Sequence, residues 1–226
     1  MNNLFTNNLQ WSESNLSVTK FQNGDDISFA DNPYKWTKLN YRKQPAYSIC
    51  PFIGNDLSPR LGLIYNIYAV MDKRGLIPVG QRLPNFSEWE SLDNYFLCCI
   101  HPDDSESEET KTILDDSESA ETEAIPYDSE NETILDTLFQ SVTYDNNKIK
   151  IELSDKNFFN WFAGGKVSPS GSISEFGESV YFWANEFDKN SFSGFVKFSK
   201  SQNFKTELNY FHRQEGFYIR TIQEHK

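Results

Sequence analysis

Aromatic rings supply most of the bulk that this chain has to bury. It carries 19 Phe, 11 Tyr and 5 Trp in 226 residues, and each such side chain removes ~150–250 Å² from water when it is buried. A chain of this length hides roughly 70% of its unfolded surface, enough for a core without metal or disulfide support. Core material so rich in rings is unlike that of a Leu-rich helix bundle.

The location of the charge narrows the partners. The formal net charge is −12. Fourteen of the 33 acidic residues, with a single Lys, fall between Asp103 and Asp136, and elsewhere bases outnumber acids by one. The body is therefore close to neutral and the acidity belongs to one insert. Without a broad basic face to neutralise phosphates, no nucleic-acid partner is expected. The insert repeats itself: Asp103–Leu114, Asp115–Pro126 and Asp128–Leu135 run through similar Asp-Ser-Glu and Ile-Leu or Ile-Pro elements. High charge with little hydrophobicity predicts a solvated insertion, and its Ile-Leu pairs offer a docking peptide as the alternative. The register lacks the glycine turn and bidentate spacing of a calcium loop, so no metal is expected.

Cys50, Cys98 and Cys99 form no paired framework and read as buried thiols. No stretch approaches the ~20 apolar residues of a membrane span. The first residues, Met1–Asn8, have neither a basic nor an apolar signal region, so no signal peptide is expected. Taken literally that places the chain in the cytoplasm.

Local patterns mark the elements. Asn23-Gly24 lies between half-apolar runs, the pattern of a hairpin turn. A loop-rich stretch with Pro33, Pro45, Pro51 and Pro59 follows. Leu61–Val70 is continuously apolar and reads as a buried strand or a short buried helix. Asn85–Leu97 reads as a helix: Pro84 precedes it, Asn85 caps it, and Glu88 completes a capping box before Trp89, Leu92, Tyr95 and Phe96. Ile149–Leu153 alternates as a strand. Gly164-Gly165 marks a bend or a close backbone approach. Glu178–Glu186, Gly194–Ser199 and Gly216–Ile222 read as antiparallel strands.

These pieces occur in an order that resembles the Fibrobacter succinogenes major paralogous domain family. Gln10-Trp11 through Asn15-Leu16, then Thr19 through Ile27 with Asn23-Gly24-Asp25, are similar to its opening. Gly62-Leu-Ile-Tyr65-Asn66-Ile-Tyr68-Ala69-Val70, Gly75-Leu76-Ile-Pro78 and Leu83-Pro84 through Glu88-Trp89 resemble its central series. Gly164-Gly165, Tyr181-Phe-Trp183-Ala and Gly216 through Arg220 resemble its closing elements. Departures are Ile67 for a usual Trp, Gln81-Arg82 for an aromatic and a common His, and Asn185-Glu186 for Ser-Thr-Glu.

The resemblance implies an α+β, C-type-lectin-like domain over residues 10–222: a twisted antiparallel sheet, packed helices, long irregular loops and neighbouring termini. Residues 1–9 become an N-terminal extension, 103–136 the insert and 223–226 a tail. Trp89, Trp183 and Phe217 are expected to share one interior. The resemblance also implies a cell-surface or secreted location, against the literal reading of the N-terminus, and leaves the compartment unassigned.

Folds of this class present loops that bind glycan or protein. The candidate surface is Trp183, Asn185, Glu186, Asp188, Asn190 and Phe192, with rings to stack and polar groups to direct. The alternative is that Tyr181 and Trp183 alternate into the core while Asn185 and Asp188 shape a turn. The Glu-Pro-Asn or Gln-Pro-Asp loop of calcium-dependent lectins is missing from the sequence, so calcium-independent binding is expected. Leu83-Pro84 through Glu88-Trp89 is also similar to formylglycine-generating enzymes, whose chemistry needs a late cysteine pair. This chain has no cysteine after Cys99. His101, His212 and His225 show no ligand spacing, and neither a nucleophile elbow nor a phosphate loop is present. The reading is a non-enzymatic recognition module without cofactor, with an assembly component of a surface or particle complex as the alternative and a divergent formylglycine-generating-type oxidoreductase behind it.

Overall fold

In the computed structural model, Trp11 near the start of the chain pairs with Ile222 near its end. The structure describes residues 5–6, 8–50, 62–92, 141–145, 148–152, 163–187, 192–199, 207–212 and 214–224. Strand β1 (Phe5–Thr6) pairs with β2 (Leu9–Trp11), which pairs in turn with β14 (Ile222–Glu224), all antiparallel. Paired residues thus reach beyond positions 10 and 222.

The Asn-Gly turn forms as its sequence predicts. Phe21 N donates to Asp25 O at 2.9 Å, and Lys20 bridges Asp26. Arg74 holds the turn from outside, donating to Asp25 Oδ2 at 3.0 Å and to Asp72 Oδ1 at 2.9 Å while its guanidinium stands 4.1 Å from the Phe21 ring centre.

β3 (Ser28–Phe29) leads into α1 (Pro33–Tyr41), a helix inside the stretch expected to be loop. Its signals are local. Asn32 Oδ1 accepts from Lys35 N at 2.9 Å and Pro33 occupies the first turn, where its missing N–H costs nothing. The helix closes with paired bonds from Lys43 N to Asn40 O and from Gln44 N to Leu39 O.

β4 (Ala46–Ser48) and β5 (Ile64–Asn66) follow, and β5 runs straight into α2 (Ile67–Val70). The apolar run is therefore strand and helix in succession. Asn66 makes the switch: its Oδ1 accepts from Ala46 N and Ala69 N, and its Nδ2 donates to Asn40 Oδ1 and Gln44 O. A helix over 86–92, α3, opens with the expected capping box. Glu88 N donates to Asn85 Oδ1 at 2.9 Å and Asn85 N to Glu88 Oε2 at 2.8 Å. Tyr95, Phe96, Cys98, Cys99 and the acidic segment lie outside the described residues.

β6 (Ser141–Asp145) and β7 (Lys148–Glu152) pair as a hairpin. β8 (Lys166–Val167) and β9 (Ile173–Ser174) precede the long strands β10 (Ser179–Phe187), β11 (Phe192–Ser199) and β12 (Glu207–His212), and β13 (Gly216–Phe217) comes before β14. One sheet has the order β3-β4-β5-β13-β8-β9 and another β10-β11-β12. The expected antiparallel sheet is corrected to a mixed one, because β3 pairs parallel to β4 and Phe182 bridges Tyr218 in parallel. Gly164-Gly165 is both a bend and a close approach. Gly165 sits at φ +67°, and a side chain on Gly164 would collide with the Tyr218 hydroxyl.

Two cores flank β10. Trp11, Trp36, Trp89, Phe182, Phe198 and Tyr218 fill the first; Phe21, Tyr65, Tyr181, Trp183, Phe195 and Phe217 fill the second. The expectation of one interior shared by Trp89, Trp183 and Phe217 is corrected. Successive side chains of a strand point to opposite faces, so Phe182 stacks on Trp89 at 5.2 Å while Trp183 packs on Phe217 at 4.4 Å. Both faces of β10 are buried over Val180–Ala184, which explains a run whose polar side-chain groups are just the Tyr181 hydroxyl and the Trp183 indole N–H.

Candidate functional site

β10 leaves the double core at its far end. Trp183 pairs with Phe195 and Phe187 with Ser193, so Ala184, Asn185 and Glu186 face Gly194 alone. This bulge breaks the ladder and re-aims the backbone. Asn185 N donates to Pro84 O at 2.8 Å, tying the bulge to the entrance of α3.

Gly194 forms the floor. A Cβ there would lie 2.6 Å from Glu186 Cβ and 2.9 Å from Phe86 Cζ. Opposite it in register is Tyr210, 44% exposed, whose ring meets Phe86 edge-on at 5.4 Å. Phe86, Glu186 and Tyr210 thus surround one glycine, with exposed Asn185 adjoining them. Phe187, 38% exposed, lies opposite Ser193 and so stands on the other face of the same rim. The arrangement offers an open ring, a carboxylate acceptor and an amide: the means to stack on an apolar face and direct its hydroxyls or amides.

Of the residues expected from the sequence, Asn185 and Glu186 reach this rim. Trp183 does not. It is 1% exposed, and its Nε1 donates to Tyr65 O at 2.8 Å, so it is a core residue and not a stacking platform. Asp188 and Asn190 lie outside the described residues. Phe192 is in β11 opposite His212, with its side chain likewise outside description. The structure adds Phe86 and Tyr210, which the sequence does not single out. Tyr210 belongs to the Glu207–His212 stretch, whose alternation is readable but whose pairing with Gly194 is a tertiary fact.

A second polar group lies on the Tyr181 side of the sheet. Tyr181 Oη donates to Glu175 Oε2 at 2.6 Å, and Lys197 Nζ stands 3.3 Å from Glu175 Oε2 and 4.0 Å from Glu207 Oε1. Lys166 Nζ pairs with Glu215 Oε1 at 3.0 Å and lies 4.8 Å from the Tyr181 ring centre. Burial and the Glu175 carboxylate push the Tyr181 hydroxyl well above its ordinary range, so it remains a donor. Burial pushes the Glu215 carboxyl up, with the Lys166 ammonium opposing it, and its Oε2 has no hydrogen-bond partner among the described residues. For Glu175, burial raises the carboxyl, but Tyr181, Ser179 and Lys197 together hold it below the usual value. Charges here are mostly matched within the fold.

Among the described residues, no group of three or more His, Cys, Asp and Glu side chains is placed to hold a metal ion, and no helix is long and apolar enough to cross a membrane.

The geometry defines an α+β architecture with a mixed sheet and few helices among the described residues. The chain belongs to the Fibrobacter succinogenes major domain family, whose model matches residues 6–223. Comparison with curated proteins and with solved structures gives no match.

Proposed function

We propose that this protein is a non-enzymatic recognition module, built on a C-type-lectin-like fold, that binds a glycan or protein ligand at the bulged rim around Gly194 without calcium. The observation that carries the reading is Tyr210, a ring 44% exposed and braced edge-on by Phe86 beside Glu186 and Asn185. A ring held by a neighbouring ring loses little freedom on binding, which favours it as an anchor. The paired termini, the mixed sheet and the irregular connections support the fold assignment. Calcium independence is supported by the sequence, which lacks the carboxylate–proline loop of calcium-dependent lectins.

The test is a glycan array and a pull-down run in parallel with the wild-type chain and with Tyr210→Ala, each with and without chelator. Loss of a braced, exposed tyrosine is expected to weaken the bound class roughly tenfold, with chelator having no effect. Full binding by Tyr210→Ala, or binding abolished by chelator, contradicts the proposal.

A further inference from the structure

α1 buries one side and leaves the other without a cover. Trp36, Leu39 and Asn40 point inward, whereas Tyr34 and Tyr41 are 76% and 88% exposed. Tyr34, Lys38 and Tyr41 follow helical spacing and share one face, with Lys38 Nζ 6.0 Å from the Tyr34 ring centre. Arg42 and Lys43 continue that face past the helix end, both exposed. No acidic residue occurs from Pro33 to Ala46, a stretch holding Lys35, Lys38, Arg42 and Lys43. Lys35 meets Asp31 at 3.7 Å. Lys38, Arg42 and Lys43 have no carboxylate partner among the described residues.

Lys43 adds a second, independent observation. It is the residue that turns the chain out of α1, at φ +55°. Helices ending this way favour glycine there, because a Cβ is crowded against the backbone in the left-handed region. This chain accepts the strain and keeps a cation.

The complementary surface is in the same sequence. Asp103–Asp136 carries 14 acidic residues against one Lys, and places Ile113-Leu114 and Ile134-Leu135 between its acidic runs. Two exposed rings among cations that lack a carboxylate partner among the described residues are complementary in charge and character to a segment of apolar pairs among acidic residues. The chain between Leu92 and Ser141, at up to ~3.4 Å per residue, is long enough to carry the segment across the domain.

We propose that the outer face of α1, formed by Tyr34, Lys38, Tyr41, Arg42 and Lys43, is the docking surface for the acidic segment Asp103–Asp136 of the same chain. Cations take the carboxylates, and the two rings take the Ile-Leu pairs. The proposal is independent of the rim around Gly194.

Amine acylation of the full chain, read residue by residue by mass spectrometry, tests it. The comparison is a variant with every Asp→Asn and Glu→Gln through 103–136, which keeps the length and apolar content. At low salt, Lys38 and Lys43 are expected to react roughly tenfold more slowly in the wild type than in the neutralised variant, as several weak pairs add within one chain. Exposed Lys73, which is not part of the α1 face, is expected to react equally in both. High salt is expected to erase the difference, and dilution to leave it unchanged. A charge-reversed Lys38→Glu/Arg42→Glu chain is expected to expose Tyr34 and Tyr41 to nitration as the neutralised variant does. Equal acylation of Lys38 and Lys43 in wild type and neutralised chain overturns the proposal. Protection that disappears on dilution also overturns it, because the segment then reaches another copy.

Discussion

Arg220 Nε donates to Asn15 Oδ1 at 2.7 Å, joining the last buried stretch of the chain to the first. The same guanidinium donates through Nη1 to Ser12 O at 2.6 Å. Arg220 is 1% exposed, and burial pulls its pKa down to about 9. Its charge is sustained by carbonyl oxygens, since an isolated buried cation would be far costlier. The clamp reinforces the β2–β14 pairing, so both ends of the chain enter one cooperative unit.

Removing the acceptor is therefore expensive. Asn15→Ala is expected to lower stability by about 2–3 kcal/mol, the cost of a buried hydrogen bond to a charged group. Urea unfolding checks this, and the transition should remain single. A loss under about 0.5 kcal/mol, the scale of an ordinary surface change, contradicts the role given to the clamp.

Asn66 offers a sharper substitution. Its oxygen accepts from Ala46 N at 2.9 Å and Ala69 N at 3.0 Å, while its nitrogen donates to Asn40 Oδ1 and Gln44 O. Asn66→Asp preserves shape and the two acceptor bonds but turns the donor into an acceptor facing two oxygens. The expected loss is about 3–5 kcal/mol at neutral pH, since a charge without a partner is buried. Protonation of the new carboxyl restores one donor, so the deficit should shrink in acid. A deficit that grows in acid relative to wild type contradicts the bonding pattern.

Glu88 gives the pH dependence. Burial pushes its carboxyl up, but the Arg82 guanidinium and the Asn85 N–H outweigh burial and hold it below the ordinary 4.5. Arg82 Nη2 lies 2.6 Å from Glu88 Oε1. A depressed folded pKa means that the contribution is complete above the unfolded value and is lost as pH falls through the folded one. Arg82 is partly exposed, so the charged part is worth about 1 kcal/mol or less. Glu88→Gln is expected to cost that amount at neutral pH and nothing in strong acid. Denaturant midpoints measured against pH check it, and a difference independent of pH contradicts it.

Much of this fold is legible from local chemistry. The Asn23-Gly24 turn and the Asn85–Glu88 box need only neighbours in sequence, and both form. α1 falls in a stretch that Pro33 and Pro45 make read as loop, although Asn32 and Pro33 together signal a helix start. The division of the core was not legible: alternation says that Phe182 and Trp183 part company, but only the position of β13 shows that both faces are covered. The site suffered from the same gap. Asn185 and Glu186 follow the buried run and are legible, whereas the sequence leaves Trp183 open between rim and core, because its exposure depends on Tyr65 and Phe217, far off in sequence. Tyr210 gains its meaning from Gly194 across a strand pair.

The account rests on which rings the sheet hides and which its rim shows. Hydroxyl-radical footprinting of the native chain measures this directly, ring by ring. Tyr210 and Phe187 are expected to be oxidised readily, and Tyr181, Phe182, Trp183, Phe195 and Phe217 to be protected until the chain unfolds. Oxidation of Trp183 in the native state as fast as that of Tyr210 would contradict the two-sided core and the rim together.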